Sequence, residues 1–585
     1  MLKLLKSFTK KDWFFIGIST ILIVFQVWLD LKLPDYMTEI TKLVQTEDSN
    51  ISDILVQGGY MLLCAFGSLG SAIIVGYLSS RISATFSKNV CAKLFNKIES
   101  FNMAEIKQFS TGSLITRTTN DITNVQMYIS MGLQLLIKSP IMAVWAIIKI
   151  LNKSWQWSAI TGAAVIILLL MVTFLMIAVI PKFKIVQKLI DNINSLMREQ
   201  LTGLRVIRAF NANNYQEDKF DNGNAQLTNT QLFTQRAMAM MMPMMFLIMN
   251  LLTLGIYFVG SFLINNSVLA NKIDLFSNMV VFSSYAMQVI MSFLMLAIIF
   301  IMYPRASVSA DRINEVLDVE PTIKDGPGIK NAKESGTIKF NNVSFKYPDS
   351  SEYVLKDISF EVKKGETIAF IGSTGSGKST LINLVPRFYD VTAGTILIDG
   401  EDIKNYKLSE LHDKLGYIPQ KAVLFNASIK DNIAYGKSSH QITEQDIEDA
   451  INIAQAEDFV ASNPEKSDYM IAQSGNNISG GQKQRLGIAR AIARHPEIYI
   501  FDDSFSALDY KTDYLLRKAL KKYTSDATCL IVAQRIGTIM NADKIVVLDE
   551  GKCVGIGTHV ELLKNCPVYQ QIAYSQLSKE ELTNE

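Results

Sequence analysis

The fold class that the sequence predicts is an α-helical domain of six membrane spans, fused to an α/β domain built around a phosphate-binding loop. Three observations predict it. Long apolar runs fill the first 305 of 585 residues, and a helix needs only about 20 such residues to cross a bilayer. The remainder alternates β-rich and helical segments, as soluble α/β protein does. Within it, GSTGSGKST, Gly372 to Thr380, follows the apolar run TIAFI and leads into LINLV. The expected division is a membrane domain over 1–305 with cytoplasmic extensions, a linker over 306–336, and a nucleotide-binding domain over 337–585.

The spans come first in the chain. They are expected over about 13–33, 54–79, 127–151, 156–181, 238–264 and 275–303, as helices because backbone in lipid must satisfy its own polar groups. MLKLLKSFTKKDWFFIGISTILIVFQVWL has the basic start of a signal peptide. Its apolar run is long enough to span and lacks a small-residue cleavage site, so it is read as the first span. Lys3, Lys6, Lys10 and Lys11 precede that span, and the mainly acidic PDYMTEITKLVQTEDSNIS follows it. Positive charge stays inside, which puts the N-terminus, and after six spans the C-terminal half, in the cytoplasm.

The internal segments 80–126 and 182–237 are long, with tips at SFNMAEIKQFSTGSL and REQLTGLRVIRAF. Phe101, Met103, Leu204, Val206, Ile207 and Phe210 sit there amid charge, as expected of contact surfaces. Span 5 opens on AMAMMMPMMFLIMN. Thioethers are polarizable and adaptable, so Met241, Met245 and Met249, with Tyr285, Met287, Met291 and Phe293 of span 6, are the expected surface for amphipathic compounds. Lys138 and Lys149 are the clearest charges inside the spans, too few to support an ion-coupled pathway.

Composition narrows the partners. Hydrophobic residues make up 49% and charged residues 19%, a low charged share for a soluble protein. With 57 basic and 55 acidic residues the net charge is +2, so no global field favours nucleic acid. Cys64, Cys91, Cys529, Cys553 and Cys566 show no metal or redox spacing, and His412, His440, His495 and His559 are scattered. Neither a disulfide framework nor a metal site built from side chains alone is expected.

The phosphate loop is specific. Gly372, Ser373, Thr374, Gly375, Ser376 and Gly377 turn backbone amides toward phosphate, Lys378 meets the terminal phosphates, Ser379 reaches Mg²⁺, and Thr380 ends the motif. A second anion-binding turn lies in ISGGQKQR, where Ser479, Gly480, Gly481 and Gln482 head a helix through LGIARAIAR. Two cradles do not easily hold one γ-phosphate, so one is expected to serve a neighbouring subunit. Between them and the C-terminus, IYIFDDSFSALD (residues 498–509) reads as a buried strand delivering carboxylates to a nucleotide.

With these motifs the chain resembles, over essentially its whole length, a half-size ABC exporter. That resemblance implies that two such domains sandwich two ATP molecules, each between one subunit's phosphate loop and the other's ISGGQ signature. Tyr347 in VSFKYP would stack on adenine; Gln420 in GYIPQKAVLF would sense Mg²⁺ and contact the membrane half; Asp502 would be the Mg²⁺-associated acid; and Ser506 to Asp509 would cross the dimer. Segments 80–126 and 182–237 would carry coupling helices, the second reaching to the opposite subunit. ATP and Mg²⁺ are the cofactors it implies.

Three positions depart from the family. Asp503 stands where the catalytic glutamate does, Gln534 in VAQRIGTI where the switch histidine does, and Gln473 where a glutamate is common. Aspartate is shorter by one C–C bond, about 1.5 Å, and a misplacement of about 1 Å costs on the order of 10²-fold. Glutamine can hydrogen-bond a phosphate but cannot carry imidazolium charge. Binding should survive and fast hydrolysis should not. This pattern resembles the degenerate-site subunit of bacterial heterodimeric ABC exporters, many of them multidrug pumps. It implies a partner half-transporter with the missing Glu and His, amphipathic or lipophilic substrates, and a bacterial plasma membrane. A homodimeric lipid or peptide exporter with slow turnover, and an ATP-binding membrane regulator that does not pump, are the alternatives.

Overall fold

The computed structural model describes residues 2–45, 50–151, 155–329 and 334–577. Residues 46–49 of the acidic loop and 330–333 of the expected linker lie outside the described residues. The chain forms two compact units, residues 1–99 with 111–319, and residues 100–110 with 320–585.

Six long helices make the first unit: Lys10–Gln45, Ile51–Glu99, Thr111–Leu151, Trp155–Ala209, Asn213–Asn265 and Leu269–Asp318. Each contains one expected span. The fourth has 55 residues; at 1.5 Å per residue it is about 80 Å long, well beyond the roughly 30 Å hydrocarbon core. Ile23, Val27, Leu31, Val75, Ala146, Trp157, Phe282 and Val289 belong to its buried core. Gly260 is a point of close approach: a Cβ there would lie 2.3 Å from the Met279 sulfur, so the lack of a side chain lets helices five and six meet.

Residues 306–318, expected to be linker, instead continue the sixth helix. The reason is a buried stripe at helical spacing, Ala306, Ala310 and Ile313. The third helix carries a π-helical turn, Arg117–Asp121, that faces this stripe's helix. Arg117 donates to the Arg312 carbonyl at 2.6 Å and pairs with Glu315 at 2.7 Å, while Asp121 accepts from Ser309 at 2.7 Å.

The second unit is organised by a six-stranded sheet. Its strands are β1 (Thr367–Gly372), β2 (Leu415–Ile418), β3 (Ile498–Asp502), β4 (Thr528–Val532), β5 (Lys544–Asp549) and β6 (Lys552–Gly557), in the order β6-β5-β1-β4-β3-β2. Only the β5–β6 pair is antiparallel. IYIFD in β3 is buried at every position, as strands of a parallel sheet covered on both faces are. A four-stranded antiparallel sheet that begins with Ile338–Phe345 and Leu355–Val362 shares one core with β1, and there Phe340 stacks on Phe360 at 4.4 Å.

Helices Ile429–Ile433, Glu444–Ile453 and Gly480–Ile492 pack a further cluster around Ile451, Leu486 and Ile492. The short helix Met103–Gln108 also belongs to this unit. Its Glu105, 1% exposed, accepts from the Thr322 amide and hydroxyl at 3.0 and 2.7 Å and from the Asn102 amide at 2.8 Å. Burial alone would raise the pKa of this carboxyl, but the donors from Thr322 and Asn102 hold it below its ordinary value.

Candidate functional site

The parallel pairing of β1, β4, β3 and β2 brings their C-terminal ends to one edge of the sheet, the edge where open α/β sheets bind ligands. Each strand delivers a different part of the site. β1 runs into the phosphate loop, β3 ends at Asp502, and Gln420 and Gln534 lie two residues beyond β2 and β4.

The loop needs its glycines. A Cβ on Gly372 would lie 2.0 Å from the Leu548 carbonyl oxygen, and one on Gly377, at φ +95°, 3.0 Å from the Val354 carbonyl. Gly372→Ala should therefore destabilise the nucleotide-binding unit by about 2–3 kcal/mol through overpacking. Chemical denaturation of the variant checks this, with a parallel loss of nucleotide binding. The Lys378 ammonium donates to the carbonyls of Gly372 and Ser373 at 2.9 and 2.8 Å, poised above the loop. Burial lowers its pKa, opposed by the charges of Asp503 and Asp502.

Ser379 donates its hydroxyl to Asp502 Oδ1 at 2.8 Å. Burial raises the pKa of Asp502 and the Asp503 charge adds to this, while the Ser379 hydrogen bond and Lys378 oppose it. A hydroxyl and a carboxylate at the loop's end form an oxygen donor set that fits a hard divalent cation.

Asp503 is buried, with a left-handed φ of +48° that aspartate tolerates better than most residues. One of its oxygens, Oδ2, accepts two amides: Gln420 Nε2 at 3.1 Å and Gln534 Nε2 at 2.8 Å. Two of the three departures found in the sequence, Asp503 and Gln534, therefore meet on a single oxygen. A carboxylate oxygen tied by two neutral donors is a poor acceptor for a water proton.

Tyr347 is half-buried, its hydroxyl 2.9 Å from Thr380 Oγ1. The ammonium of Lys107, from the short helix Met103–Gln108, lies 4.5 Å from its ring centroid. Lys107 was not singled out from the sequence, where it is one charge in a charged tip. Ser479 caps the helix Gly480–Ile492 in a reciprocal box with Gln482, at 3.2 and 2.8 Å. Ser479 and Gly480 are exposed, and among the described residues neither Ser479 nor Gln482 hydrogen-bonds to residues 372–380.

In the membrane unit the candidate substrate residues divide between the core and its margin. Met241, Met245, Met249 and Tyr285 are buried in its core, Met287 and Phe293 are half-buried against it, and Met291 stays 41% exposed. Flexible thioethers fill gaps between helices as readily as they line a surface.

The sequence reading also passed over Asp30 and Asp35. Asp30 pairs with Lys138 at 3.1 Å and accepts from Ser68. Asp35 pairs with Lys149 at 2.7 Å and accepts from the Tyr285 hydroxyl. The signal available was the pairing rule for charges in membranes, which asks for a partner for each lysine.

The chain matches the model of the ABC transporter domain over residues 355–506 and that of the ABC transporter transmembrane region over residues 16–301. It is 38% identical over 521 residues to an uncharacterized ABC transporter ATP-binding protein of Mycobacterium tuberculosis, covering 88% of this chain and 87% of that one. The chain belongs to the ABC transporter family.

This transporter is also 34% identical to the ABC transporter ATP-binding protein YfiB of Bacillus subtilis, over 98% of both chains. The ATP-dependent lipid A-core flippase of Syntrophus aciditrophicus is 30% identical, over 91% of this chain and 85% of that one. A bacterial Atm1-family ABC exporter solved with ATP bound shares the fold, with a TM-score of 0.82 at 23% identity over 97% of this chain and 99% of that one. The transporter is thus a half-size exporter by architecture, with six candidate spans and one ATP-binding domain, and its family implies an ATPase that moves a substrate across a membrane.

Proposed function

We propose that this chain is one half of a heterodimeric exporter of amphipathic compounds, in which its own phosphate loop holds ATP and hydrolyses it slowly. The observation that carries the reading is the sharing of Asp503 Oδ2 by Gln420 and Gln534. In this reading Lys378 and the loop amides bind the phosphates, Tyr347 takes the base, and Ser379, Asp502 and Gln420 hold Mg²⁺. The ion would neutralise charge on the bridging phosphate oxygens. What the site lacks is a carboxylate long enough to reach the attacking water, its Oδ2 being held by two amides, and a side chain at 534 that can carry positive charge beside the γ-phosphate.

The signature is intact and exposed, which supports its use by a partner's nucleotide. The partner would supply the glutamate and histidine, and both nucleotide domains and the N-terminus would face the cytoplasm of a bacterial cell. Phe210, at the tip of segment 182–237, is 80% exposed, in keeping with a contact made in the assembled transporter. Ser479→Arg in this chain should cut ATP hydrolysis by the reconstituted pair at least 10-fold, because its arginine would fill the cradle meant for the partner's γ-phosphate. Unchanged hydrolysis would remove the role given to ISGGQ.

A second reading, a homodimeric lipid exporter, is favoured by the flippase relatives together with the ion pairs Lys138–Asp30 and Lys149–Asp35 between the first and third helices, which would offer charge to a lipid headgroup. Purified alone, the chain would then form a stable dimer that hydrolyses ATP slowly. The heterodimer reading expects no stable dimer and a still poorer ATPase.

A further inference from the structure

Two of the histidines that lie scattered in the sequence come together in the structure, at a place where the sequence led us to expect no metal site. His440 precedes the helix Glu444–Ile453, and His495 follows the helix Gly480–Ile492. Asp446, in the first turn of the former, stands between them. His440 Nε2 lies 3.0 Å from Asp446 Oδ2, and His495 Nε2 lies 2.9 Å from Asp446 Oδ1. All three ligand atoms fall within 4.8 Å of one another.

We propose that His440, Asp446 and His495 form a binding site for a zinc-class divalent metal ion. Borderline-soft ions take imidazole nitrogen at about 2.0–2.1 Å and carboxylate oxygen at about 2.0–2.2 Å. Seating one here asks each imidazole nitrogen to stand a few tenths of an ångström further from the carboxylate oxygens, now 3.0 and 2.9 Å away. Two imidazoles and one carboxylate, with a fourth position open to water, are a ligand set such ions accept and Mg²⁺ does not favour. The imidazoles are each 42% exposed and the carboxylate 16%, so an ion can enter from solvent onto a fixed anion.

The surroundings hold the ligands in place. Asp446 Oδ2 accepts from the Thr443 amide and hydroxyl at 2.8 and 2.7 Å, which fixes the carboxylate between the two imidazoles. His495 Nδ1 lies 2.6 Å from the Tyr523 hydroxyl. That hydroxyl can accept Nδ1–H once Nε2 turns its lone pair to metal, the outer-shell arrangement that orients ligating histidines.

The site has a mechanical consequence. It would tie the helix Glu444–Ile453 to the C-terminal end of the helix that begins at the signature, and through Tyr523 to the end of the helix Tyr510–Tyr523. Metal would stiffen the element that carries Ser479. This goes beyond the proposed transport function and does not depend on it.

The test is a titration of the metal-stripped full-length chain, in lipid nanodiscs with Mg²⁺ present, using Zn²⁺ by calorimetry and Co²⁺ by visible absorption. One saturable site per chain is expected. Its Co²⁺ bands should show nitrogen and oxygen ligation without thiolate charge transfer, which separates it from the free cysteines. His440→Ala and His495→Ala should each weaken it at least 10-fold, and Tyr523→Phe about 10-fold or more, with metal-free melting temperatures unchanged. Absence of a saturable site, or binding that persists when both histidines are replaced, would overturn the assignment.

Discussion

Asp503→Glu/Gln534→His should raise ATP turnover at this chain's own site by about 10²-fold, the scale attached to a catalytic group misplaced by about 1 Å. The geometry explains why both changes are needed. Lengthening the carboxylate by about 1.5 Å moves it toward the attacking water, yet Gln534 Nε2 would remain a donor to the same oxygen, as it is now at 2.8 Å. Replacing Gln534 alone restores a group that can be positive but leaves the carboxylate short. The single variants should each recover much less than the pair, since residues acting as one unit combine non-additively. Hydrolysis by the purified chain in nanodiscs, with oligomeric state recorded, decides it. A native chain that already turns over briskly, with little gained on restoration, would sink the impaired-site reading.

Lys149→Met should destabilise the membrane unit by about 3 kcal/mol, and Asp35→Asn combined with it should recover a good part of that loss. Removing one member of an ion pair in a low-dielectric setting strands the other charge, whereas removing both leaves none to solvate. Lys149 and Asp35 are 2.7 Å apart, with the Tyr285 hydroxyl also on Asp35. The free energies of the two singles and the double, from denaturant unfolding in detergent micelles, form a double-mutant cycle. Additive losses would mean that the pair is not coupled. Because Tyr285 bridges to Asp35, the same substitutions should also shift substrate preference if charged headgroups are cargo.

What the sequence by itself determined is local. Span length and apolarity, the glycine spacing of GSTGSGKST, and the cap of ISGGQ each depend on a few consecutive residues, so six helices and two anion-binding turns could be read directly. The end of the sixth helix could not. Ala306, Ala310 and Ile313 looked like linker because small residues carry little pattern until a neighbour buries them. The tertiary structure decided everything that depends on which elements become neighbours. Gln420, Asp503 and Gln534 are separated by 83 and 31 residues, and only the order of strands β4, β3 and β2 puts the two amides on one oxygen. Lys149 and Asp35, 114 residues apart, meet because of how helices one and three are rotated, and the rotation of helix five turns Met241, Met245 and Met249 inward. His440, Asp446 and His495 converge by the packing of two helices. Sequence periodicity names the face a helix will bury, but the partner on that face is chosen by packing across the whole chain.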